Sequence, residues 1–523
     1  MTEKGGEVRK KNGADSNGTL GTAVRIGVIG LALLLQVAIM LFISYFLRQV
    51  AVPVYIALDV AAAVVVFRLF NKYDSAAYRV AWIIIVLTVP IVGLLLYLAW
   101  GRVDFNKRER GGIARAYATG FASLPDDGES AAAFRREHPA DAPYMTGLRT
   151  AGYPVYGDTA ASYFPIGEAY FEKLASDLES ATRFILMEYF ILANGVLWDR
   201  LHEILRRKAA EGVEVRLLYD DVGCFFKIPN DYDRVLRAEG IQTAVFSPAH
   251  RFVSSFYLNY RNHQKIAVID GQVGYTGGVN IADEYINVDS KLGHWKDVGV
   301  RLEGTAVRSL SVIFFQMWDI ATHNAESDHS AYFVEAPAAG AGYVQPYADG
   351  PANNPDNPAL DLICRCVTGA REYIWLTSPY LVIDQEISEV FCRAARGGVD
   401  VRIITPAIPD HWYVGLVNRH NYRHLLENGV RIYEYTPGFI HGKLLVMDDT
   451  CATVGSVNLD FRSLFLHYEN GVFFCGAPVV SDVKRDIEST MAVSHEMTLA
   501  EVAAQPWYKR LLGSLFNLFS PMM

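Results

Sequence analysis

One pattern of residues occurs twice in this 523-residue chain. Each copy contains a histidine, a lysine two positions later and an aspartate seven positions later, then two small residues and an asparagine at identical offsets. The two copies are His263, Lys265, Asp270, Gly277, Gly278, Asn280 and His441, Lys443, Asp448, Gly455, Ser456, Asn458. A single histidine and lysine at this spacing is more often structural than catalytic. Repetition of the whole pattern instead indicates a duplicated unit that carries a duplicated chemical site.

The spacing within each copy predicts how the side chains are arranged. The runs IAVID and LLVMD are short and apolar and end in turn signals, which is typical of β-strands. Because residues two apart in a strand share a face, each histidine points the same way as its lysine. Asp270 and Asp448 lie at an odd offset from the histidines. We therefore predict that these two motif aspartates are structural and tie the turn that follows each strand.

The end of each copy predicts a site for phosphate. Gly278 and Ser456 are small, so a substrate phosphate can approach the backbone closely there. Asn280 and Asn458 can donate amide hydrogens to its oxygens. A metal site is not predicted, because neither copy supplies a third ligand at metal spacing and lysine is a poor ligand at neutral pH.

The repeat extends beyond the motif. RFILMEYFI (183–191) matches EYIWLTSPYL (372–381), and GVEVRLLYD (212–220) matches GVDVRIITP (398–406). Helical periodicity separates these strand-like runs, which predicts α/β units with a mainly parallel sheet. We expect two repeated α/β units related by approximate two-fold symmetry, with the two His/Lys pairs meeting where the units abut.

The chain resembles the phospholipase D superfamily, whose signature is the duplicated HxKxxxxD motif. Within it, the chain is similar to the bacterial cardiolipin synthases from roughly residue 25 to its end. One departure is His467, where that family has asparagine. The stretches that carry the resemblance are GYTGGVNIADEYIN (274–287), HWKDVGVRLEG (294–304), GFIHGKLLVMDD (438–449) and GSVNLDFRSLFLHYEN (455–470).

The resemblance implies an activity. A phosphatidyl group would pass from one phosphatidylglycerol to another through a phosphohistidine, giving cardiolipin and glycerol with no cofactor. It implies that His263 is the nucleophile and His441 the acid and base, although the symmetry of the two copies does not decide this order. The motif lysines and asparagines would stabilise the phosphoryl oxygens. Asp297 and Glu469 would orient the histidines.

Other functions remain to be weighed. A membrane-bound phospholipase D hydrolase would use the same motif residues, so the motif does not exclude it. A membrane-tethered nuclease is disfavoured by the net charge of −9, because nucleic-acid binding usually requires a basic surface. A non-catalytic scaffold is disfavoured because both His/Lys pairs are intact. The sequence also contains no GxxxxGK[ST] phosphate loop, in keeping with a reaction that needs no ATP.

Apolar runs near the N-terminus predict membrane association. Residues 26–47 and 80–100 are each long enough to span a bilayer, whereas residues 51–67 form a shorter run that contains Asp59. Basic residues lie before the first run and after the last. They favour two spans and a cytoplasmic catalytic domain on a multi-pass protein of the bacterial cytoplasmic membrane, with a third span left open.

The sequence also suggests how the chain is divided. The C-terminal stretch is amphipathic and could lie on the bilayer or pack on the core, and we weigh both. The six cysteines form no disulfide framework. The expected division is a membrane anchor (1–102), a connector (103–145), a first unit (146–325), a linker (326–358), a second unit (359–498) and the amphipathic segment (499–523).

Overall fold

The computed structural model divides the chain into two compact units, Met1–Arg102 and Val103–Met523. The residues that it describes are 30–31, 33–42, 45, 48–71, 76–101, 107–248, 260–289, 291–324, 327–334, 339–353 and 356–522.

The N-terminal unit is helical. Within the described ranges one helical stretch, Val52–Phe70, is long and apolar enough to cross a bilayer. This differs from the sequence prediction, which treated residues 51–67 as the doubtful run and 80–100 as one span. Pro90 has no backbone N–H and begins a new helix, so the 80–100 run is divided. Part of the 26–47 run lies outside the described residues. The helices are α1 (Leu33–Phe42), α2 (Arg48–Phe70), α3 (Ala76–Thr88) and α4 (Pro90–Leu96), followed by a π-helical turn at Tyr97–Gly101.

The first half of the larger unit contains a seven-stranded sheet in the order β1-β9-β7-β6-β2-β3-β4. The short strands β5 and β8 lie outside this sheet. The nine strands are β1 (Thr159–Phe164), β2 (Phe184–Tyr189), β3 (Glu214–Asp220), β4 (Gln242–Phe246), β5 (Arg261–Asn262), β6 (Lys265–Ile269), β7 (Val273–Gly277), β8 (His294–Lys296) and β9 (Gly299–Gly304).

The second half repeats this order as β10-β19-β17-β16-β11-β13-β14 and adds β20 at its edge. The matching orders show that the fold is duplicated. The strands are β10 (Tyr343–Asp349), β11 (Tyr373–Thr377), β12 (Leu381–Val382), β13 (Asp400–Pro406), β14 (Arg431–Tyr435), β15 (Gly438–Ile440), β16 (Lys443–Met447), β17 (Cys451–Gly455), β18 (Leu459–Asp460), β19 (His467–Cys475) and β20 (Ser494–Glu496).

The sheets are mixed, so the prediction of a mainly parallel sheet was wrong. In the first sheet only the β2–β3 and β3–β4 pairs are parallel, and the other pairs are antiparallel. The motif strand β6 returns directly as β7 through a tight turn at Asp270 and Gly271, whose φ angles are 54° and 71°. Positive φ angles are typical of the turns that join antiparallel hairpins.

Helices cover the sheets, and one of the apolar cores in the described residues spans both halves. This core includes Leu186 and Val300 of the first sheet, Ile374 and Val472 of the second, and Phe314 of α12. The helices of the unit are α5 (Lys107–Ala122), α6 (Gly128–Glu137), α7 (Ala142–Thr150), α8 (Gly167–Glu179), α9 (Val196–Ala210), α10 (Asp221–Cys224), α11 (Tyr232–Ala238), α12 (Val307–Thr322), α13 (Pro358–Gly369), α14 (Gln385–Arg396), α15 (Trp412–Glu427), α16 (Phe461–Phe465), α17 (Pro478–Ala492), α18 (Leu499–Ala503) and α19 (Trp507–Leu518).

The expected connector (103–145) and the expected linker (326–358) both contain regular secondary structure. Helices α5 to α7 lie largely within the expected connector, and β10 lies within the expected linker, where it is the edge strand of the second sheet. The sequence did not predict β10 because it contains Pro346, and a proline argues against a central strand. A proline is tolerated at a sheet edge, which is where β10 lies.

The two halves also exchange short strands. β5 of the first half pairs in parallel with β19 of the second, and β8 of the first half pairs in parallel with β15 of the second. We call β5 and β8 the bridging strands. Because β5 ends one residue before His263 and β15 ends one residue before His441, this exchange positions both motif histidines.

Candidate active site

The first His/Lys pair lies at the junction of the two halves. The backbone N–H of His263 donates to the carbonyl of Tyr468 in β19 at 2.9 Å. The imidazole is buried, with 6% of the residue exposed. Lys265 is the first residue of β6, is fully buried, and donates from Nζ to the carbonyl of His263 at 2.5 Å. The backbone therefore fixes both residues of the pair.

The second pair repeats this arrangement. The backbone N–H of His441 donates to the carbonyl of Lys296 at the end of β8, with a distance of 2.7 Å. Lys443 begins β16, and its Nζ lies 2.8 Å from His441 Nδ1 and also donates to the carbonyl of His441. Both His/Lys pairs thus rest on backbone supplied by the opposite half of the chain.

Each histidine is hydrogen-bonded to a carboxylate from the other half. Glu469 Oε2 lies 2.9 Å from His263 Nδ1, and Asp297 Oδ2 lies 2.5 Å from His441 Nδ1. Both carboxylates are fully buried. Asp297 and Glu469 were the residues expected to orient the histidines, but the sequence did not indicate that the pairs cross between the halves. Because Nδ1 faces the carboxylate, Nε2 is the nitrogen available for chemistry.

Gly278 and Ser456 contact these carboxylates. A methyl group at residue 278 would overlap Oδ1 of Asp297, so the glycine leaves room for the carboxylate. Ser456 and Ser463 both donate hydroxyl hydrogens to Glu469. This placement differs from the phosphate contact that the sequence suggested. A carboxylate at each position repels an anionic phosphate there, so we assign both residues to seating the carboxylates.

The motif asparagines differ in their surroundings. Asn280 accepts from the backbone N–H of Ile191 at 3.1 Å and donates from Nδ2 to the hydroxyl of Tyr285 at 2.7 Å. Asn458 is 4% exposed, and its Oδ1 has no hydrogen-bond partner in the described part of the chain. Asn280 is therefore anchored within its own half, whereas Asn458 keeps one unpartnered acceptor, its Oδ1.

Asp270 and Asp448 lie at the opposite end of their strands from the histidines. Asp270 accepts from the backbone N–H groups of Thr182, Arg183 and Phe184. Asp448 accepts from three backbone N–H groups at the start of β11 in the same way. Burial alone would raise the pKa of Asp270, but these N–H groups hold it below its usual value. Both aspartates bind the start of a neighbouring strand rather than the turn that follows, and these contacts support a structural role.

Burial and the two lysines set the protonation of the site. Burial lowers the pKa of His263 well below its usual value, and Lys265 and Lys443 add to this effect. Burial, followed by Lys443, lowers the pKa of His441 to about 4. Burial also lowers the pKa of Lys443 to about 8. At neutral pH each imidazole is therefore neutral in the free protein and can present a lone pair.

Sequence reasoning missed one acid in the site and left the role of one histidine open. Glu188 in β2 is fully buried, accepts from Asn262 Nδ2 at 2.5 Å, and has a pKa raised by burial to about 8. Its signal in the sequence was a lone acid within the apolar run FILMEY. The ring centroid of His467, the residue that departs from the family pattern, lies 5.5 Å from that of His263. Burial lowers the pKa of His467 to about 3.

The duplicated fold and the paired His–Lys–carboxylate sites define a phospholipase D-like protein. Residues 174–318 and 363–491 match the family described as cardiolipin synthase, PLD-like domain, and residues 57–102 match the phospholipase D-nuclease N-terminal family. The chain belongs to the cardiolipin synthase family.

Individual relatives cover nearly the whole chain. The cardiolipin synthase of Geobacillus thermodenitrificans is 32% identical over 474 residues, which cover 90% of this chain and 93% of that protein. The cardiolipin synthase of Halalkalibacterium halodurans is 30% identical over 516 residues, which cover 95% and 99%. Among solved structures, phosphatidylserine synthase from Haemophilus influenzae has a TM-score of 0.56 at 14% identity, covering 73% of this chain and 97% of that one. This last similarity concerns the fold alone.

Proposed function

We propose that this protein is a membrane-bound phosphatidyltransferase that converts two molecules of phosphatidylglycerol into cardiolipin and glycerol. The observation that carries the proposal is the pair of buried histidines, each held by a carboxylate from the other half, in a chain of the cardiolipin synthase family. Two such histidines at one site supply a nucleophile and a proton-transfer group, which is what exchange of a phosphodiester requires.

The reaction proceeds in two displacements. In the first, His263 Nε2 attacks the phosphorus of the donor lipid, a nitrogen–phosphorus bond forms, and the bond to the glycerol oxygen breaks as His441 protonates that oxygen. In the second, His441 takes the proton from the hydroxyl of the acceptor phosphatidylglycerol, whose oxygen attacks phosphorus and releases His263. One phosphodiester replaces another, so no energy source is needed. Asp297 and the negative charge of the bound phosphodiester favour the protonated form of His441 that the first step uses.

The remaining site residues have supporting roles. Lys265 and Lys443 stabilise the non-bridging phosphoryl oxygens, whose charge increases in the transition state. Asn280 and Asn458 would donate amide hydrogens to the phosphate oxygens once substrate is bound, because in the free protein Asn280 Nδ2 donates to Tyr285 and the unpartnered atom of Asn458 is the acceptor Oδ1. Glu469 and Asp297 hold their histidines in the tautomer that presents Nε2.

The lipid substrate requires attachment to a membrane. The Val52–Phe70 helix supports an N-terminal anchor. We assign two spans, with the catalytic unit on the cytoplasmic side, because basic residues flank the apolar region on both sides and both ends then lie on one face of the membrane. Those basic residues are Lys4, Arg9, Lys10, Lys11 and Arg25 before it and Arg102, Lys107, Arg108 and Arg110 after it.

The C-terminal helix supports a second contact with the bilayer. One face of α19 packs on α15, where the Phe516 ring contacts that of Trp412 at a centroid distance of 5.5 Å. Its other face leaves Trp507 and Leu511 exposed by 71% and 60%, and Trp412 beside it is 64% exposed. Such a surface enters the interfacial region of a membrane, and the adjacent Lys509 and Arg510 favour anionic head groups.

The test is a product analysis. The purified full-length protein is supplied with phosphatidylglycerol as the only phospholipid in mixed micelles, and products are identified by mass spectrometry. Cardiolipin with an equal amount of glycerol supports the proposal, provided that both are lost in His263→Ala and His441→Ala and retained in the surface control His424→Ala. Phosphatidic acid without cardiolipin would show that water resolves the intermediate and that the protein is a hydrolase.

A further inference from the structure

His467 carries hydrogen-bonding capacity that the proposed reaction does not use. Its side chain is 11% exposed, and neither ring nitrogen has a hydrogen-bond partner within the described residues. Nδ1 lies 3.7 Å from Glu469 Oε1, which is longer than a hydrogen bond. Buried polar atoms in native proteins are nearly always satisfied, so two buried, orphaned nitrogens on one ring point to a ligand.

The nitrogens of His467 belong to a cluster of three potential metal ligands. One donor atom from each of His263, His467 and Glu469 lies within 4.8 Å of the other two. His263 Nδ1 lies 2.9 Å from Glu469 Oε2, and His467 Nδ1 lies 3.7 Å from the other oxygen, Oε1. Bonds of about 2.0–2.1 Å to a tetrahedral zinc ion separate its ligands by about 3.4 Å, a value that lies between these two distances. Two imidazoles and one carboxylate are also a donor set that zinc uses with a fourth position open.

The other half of the molecule provides an internal comparison. His467 lies two residues before Glu469, and Trp295 lies two residues before Asp297. The Trp295 ring lies 5.5 Å from that of His441, the same centroid separation as between His467 and His263. An indole nitrogen only donates hydrogen bonds and offers no lone pair to a metal. The ligand set is therefore complete on the His263 side and incomplete on the His441 side.

We propose that a divalent transition metal such as Zn²⁺ binds His263, His467 and Glu469 and inhibits the transfer reaction. The inhibitory part rests on the proposed function, in which His263 attacks phosphorus. A neutral imidazole has one nitrogen with a free lone pair and one that carries hydrogen. A metal on Nε2 occupies the attacking lone pair, whereas a metal on Nδ1 leaves the hydrogen on Nε2. Either mode removes the nucleophile.

The charges around the cluster predict which ions bind. Lys265 and Lys443 lie close to His263, and the buried carboxylates Asp297 and Glu469 offset their charge. A site without net negative charge holds ions that bond strongly to nitrogen. It disfavours Mg²⁺ and Ca²⁺, which rely on several oxygen ligands.

Binding is tested first and does not depend on activity. The full-length protein in detergent is freed of metal with a chelator, then titrated with Co²⁺ by visible absorption and with Zn²⁺ by calorimetry. His467→Asn and His467→Gln remove the proposed ligand. His424→Asn and His138→Asn are matched controls, because these histidines belong to two other clusters of possible ligands.

We expect the wild type and both controls to bind the metal ion with the same affinity. The His467 variants should bind it at least ~100-fold more weakly, since even loss of an outer partner of a ligand costs about 10–100-fold in affinity. Equal affinity in properly folded His467 variants, judged by size-exclusion elution and circular dichroism, would overturn the site.

Inhibition is then measured at fixed free Zn²⁺, set by a metal buffer because lipid head groups also bind the ion. Each variant is compared with its own rate in chelator. We expect Zn²⁺ to inhibit the wild type and His424→Asn, and His467→Asn to require at least ~10-fold more free Zn²⁺ for the same inhibition. Inhibition of equal strength in both would overturn the regulatory role. If no variant forms cardiolipin in chelator, the proposed function has failed, and the binding titrations still decide whether the metal site exists.

Discussion

Glu469 Oε2 of the second half of the chain lies 2.9 Å from His263 Nδ1 of the first half. The reciprocal pair, Asp297 and His441, crosses the junction in the opposite direction. Neither motif histidine is therefore oriented by a carboxylate from its own half. The active site therefore forms only when the two halves are packed together.

The first prediction concerns these carboxylates. Glu469→Gln and Asp297→Asn keep the shape of the side chain but lose the charge that fixes the histidine tautomer. We expect each to lower kcat by about 10²–10⁴-fold. Initial rates of cardiolipin formation measure the effect, with Glu303→Gln as a surface control because this glutamate is about half exposed. Rates within twofold of the wild type would contradict an orienting role.

The second prediction assigns the roles of the two histidines. A phosphatidyl donor with a p-nitrophenolate leaving group needs no acid, so His441→Ala should form the phosphatidyl-enzyme and then fail to activate the acceptor hydroxyl. Intact-protein mass spectrometry after an alkaline quench, which preserves phosphohistidine, should show an adduct that the His263→Ala/His441→Ala double variant lacks. An adduct on His263→Ala but not on His441→Ala would reverse the assignment.

The third prediction concerns Gly278. A methyl group there would displace Asp297, so Gly278→Ala should lose activity to a degree similar to Asp297→Asn while remaining folded. Gly112→Ala is the matched control, since a methyl group at that position in α5 meets no other atom within 4 Å. Near-normal rates in Gly278→Ala would mean that the carboxylate tolerates displacement.

The fourth prediction is that the motif aspartates contribute to stability and not to catalysis. Asp270→Ala and Asp448→Ala each leave three backbone N–H groups without their acceptor. We expect each to lower the free energy of unfolding by roughly 1–3 kcal/mol, while the folded fraction keeps its kcat. Thermal melts and active-site-normalised rates test this, with Asp482→Ala as a surface control. Loss of kcat without loss of stability would place these residues in the chemistry after all.

The fifth prediction is the pH dependence of stability. The folded-state pKa values of His263, His441 and His467 lie below the ordinary histidine value of about 6.5. The unfolded chain therefore binds protons first as pH falls. The contribution of these histidines is complete above about pH 6.5 and is lost toward the lower folded values, by about 1.4 kcal/mol per pH unit for each histidine.

Melting temperatures recorded between about pH 5 and 8 measure this slope. His467→Asn should make the slope shallower by one proton. Identical slopes in the wild type and His467→Asn would show that His467 does not remain neutral in the folded state.

The sequence was most informative where chemistry depends on local spacing. The offset of two residues located both His/Lys pairs, and the resemblance to the phospholipase D superfamily implied that Asp297 and Glu469 orient the histidines. It could not pair these groups, because the two copies are equivalent along the chain and only the bridging strands decide which carboxylate faces which histidine. The roles of Gly278 and Ser456 depend on the same long-range contacts, so the motif alone suggested phosphate instead.

The local sequence pattern also did not predict whether neighbouring strands run parallel or antiparallel. A buried apolar run looks the same in a parallel and an antiparallel sheet. The positive φ angles at Asp270 and Asp448 lie in the turns that make β6–β7 and β16–β17 antiparallel pairs, and most strand pairs in each sheet are antiparallel. Duplication and the α/β class, by contrast, follow directly from the repeated runs, and the matching strand orders confirm them.

The bridging strands have a consequence for the biosynthesis of the protein. A chain released or cleaved before β19 would carry His263 and Lys265 but neither the backbone that fixes that histidine nor the carboxylate that orients it. We expect such a fragment to be chemically silent even if its membrane anchor has already inserted. Interlocking the two copies thus makes activity depend on completion of the whole chain.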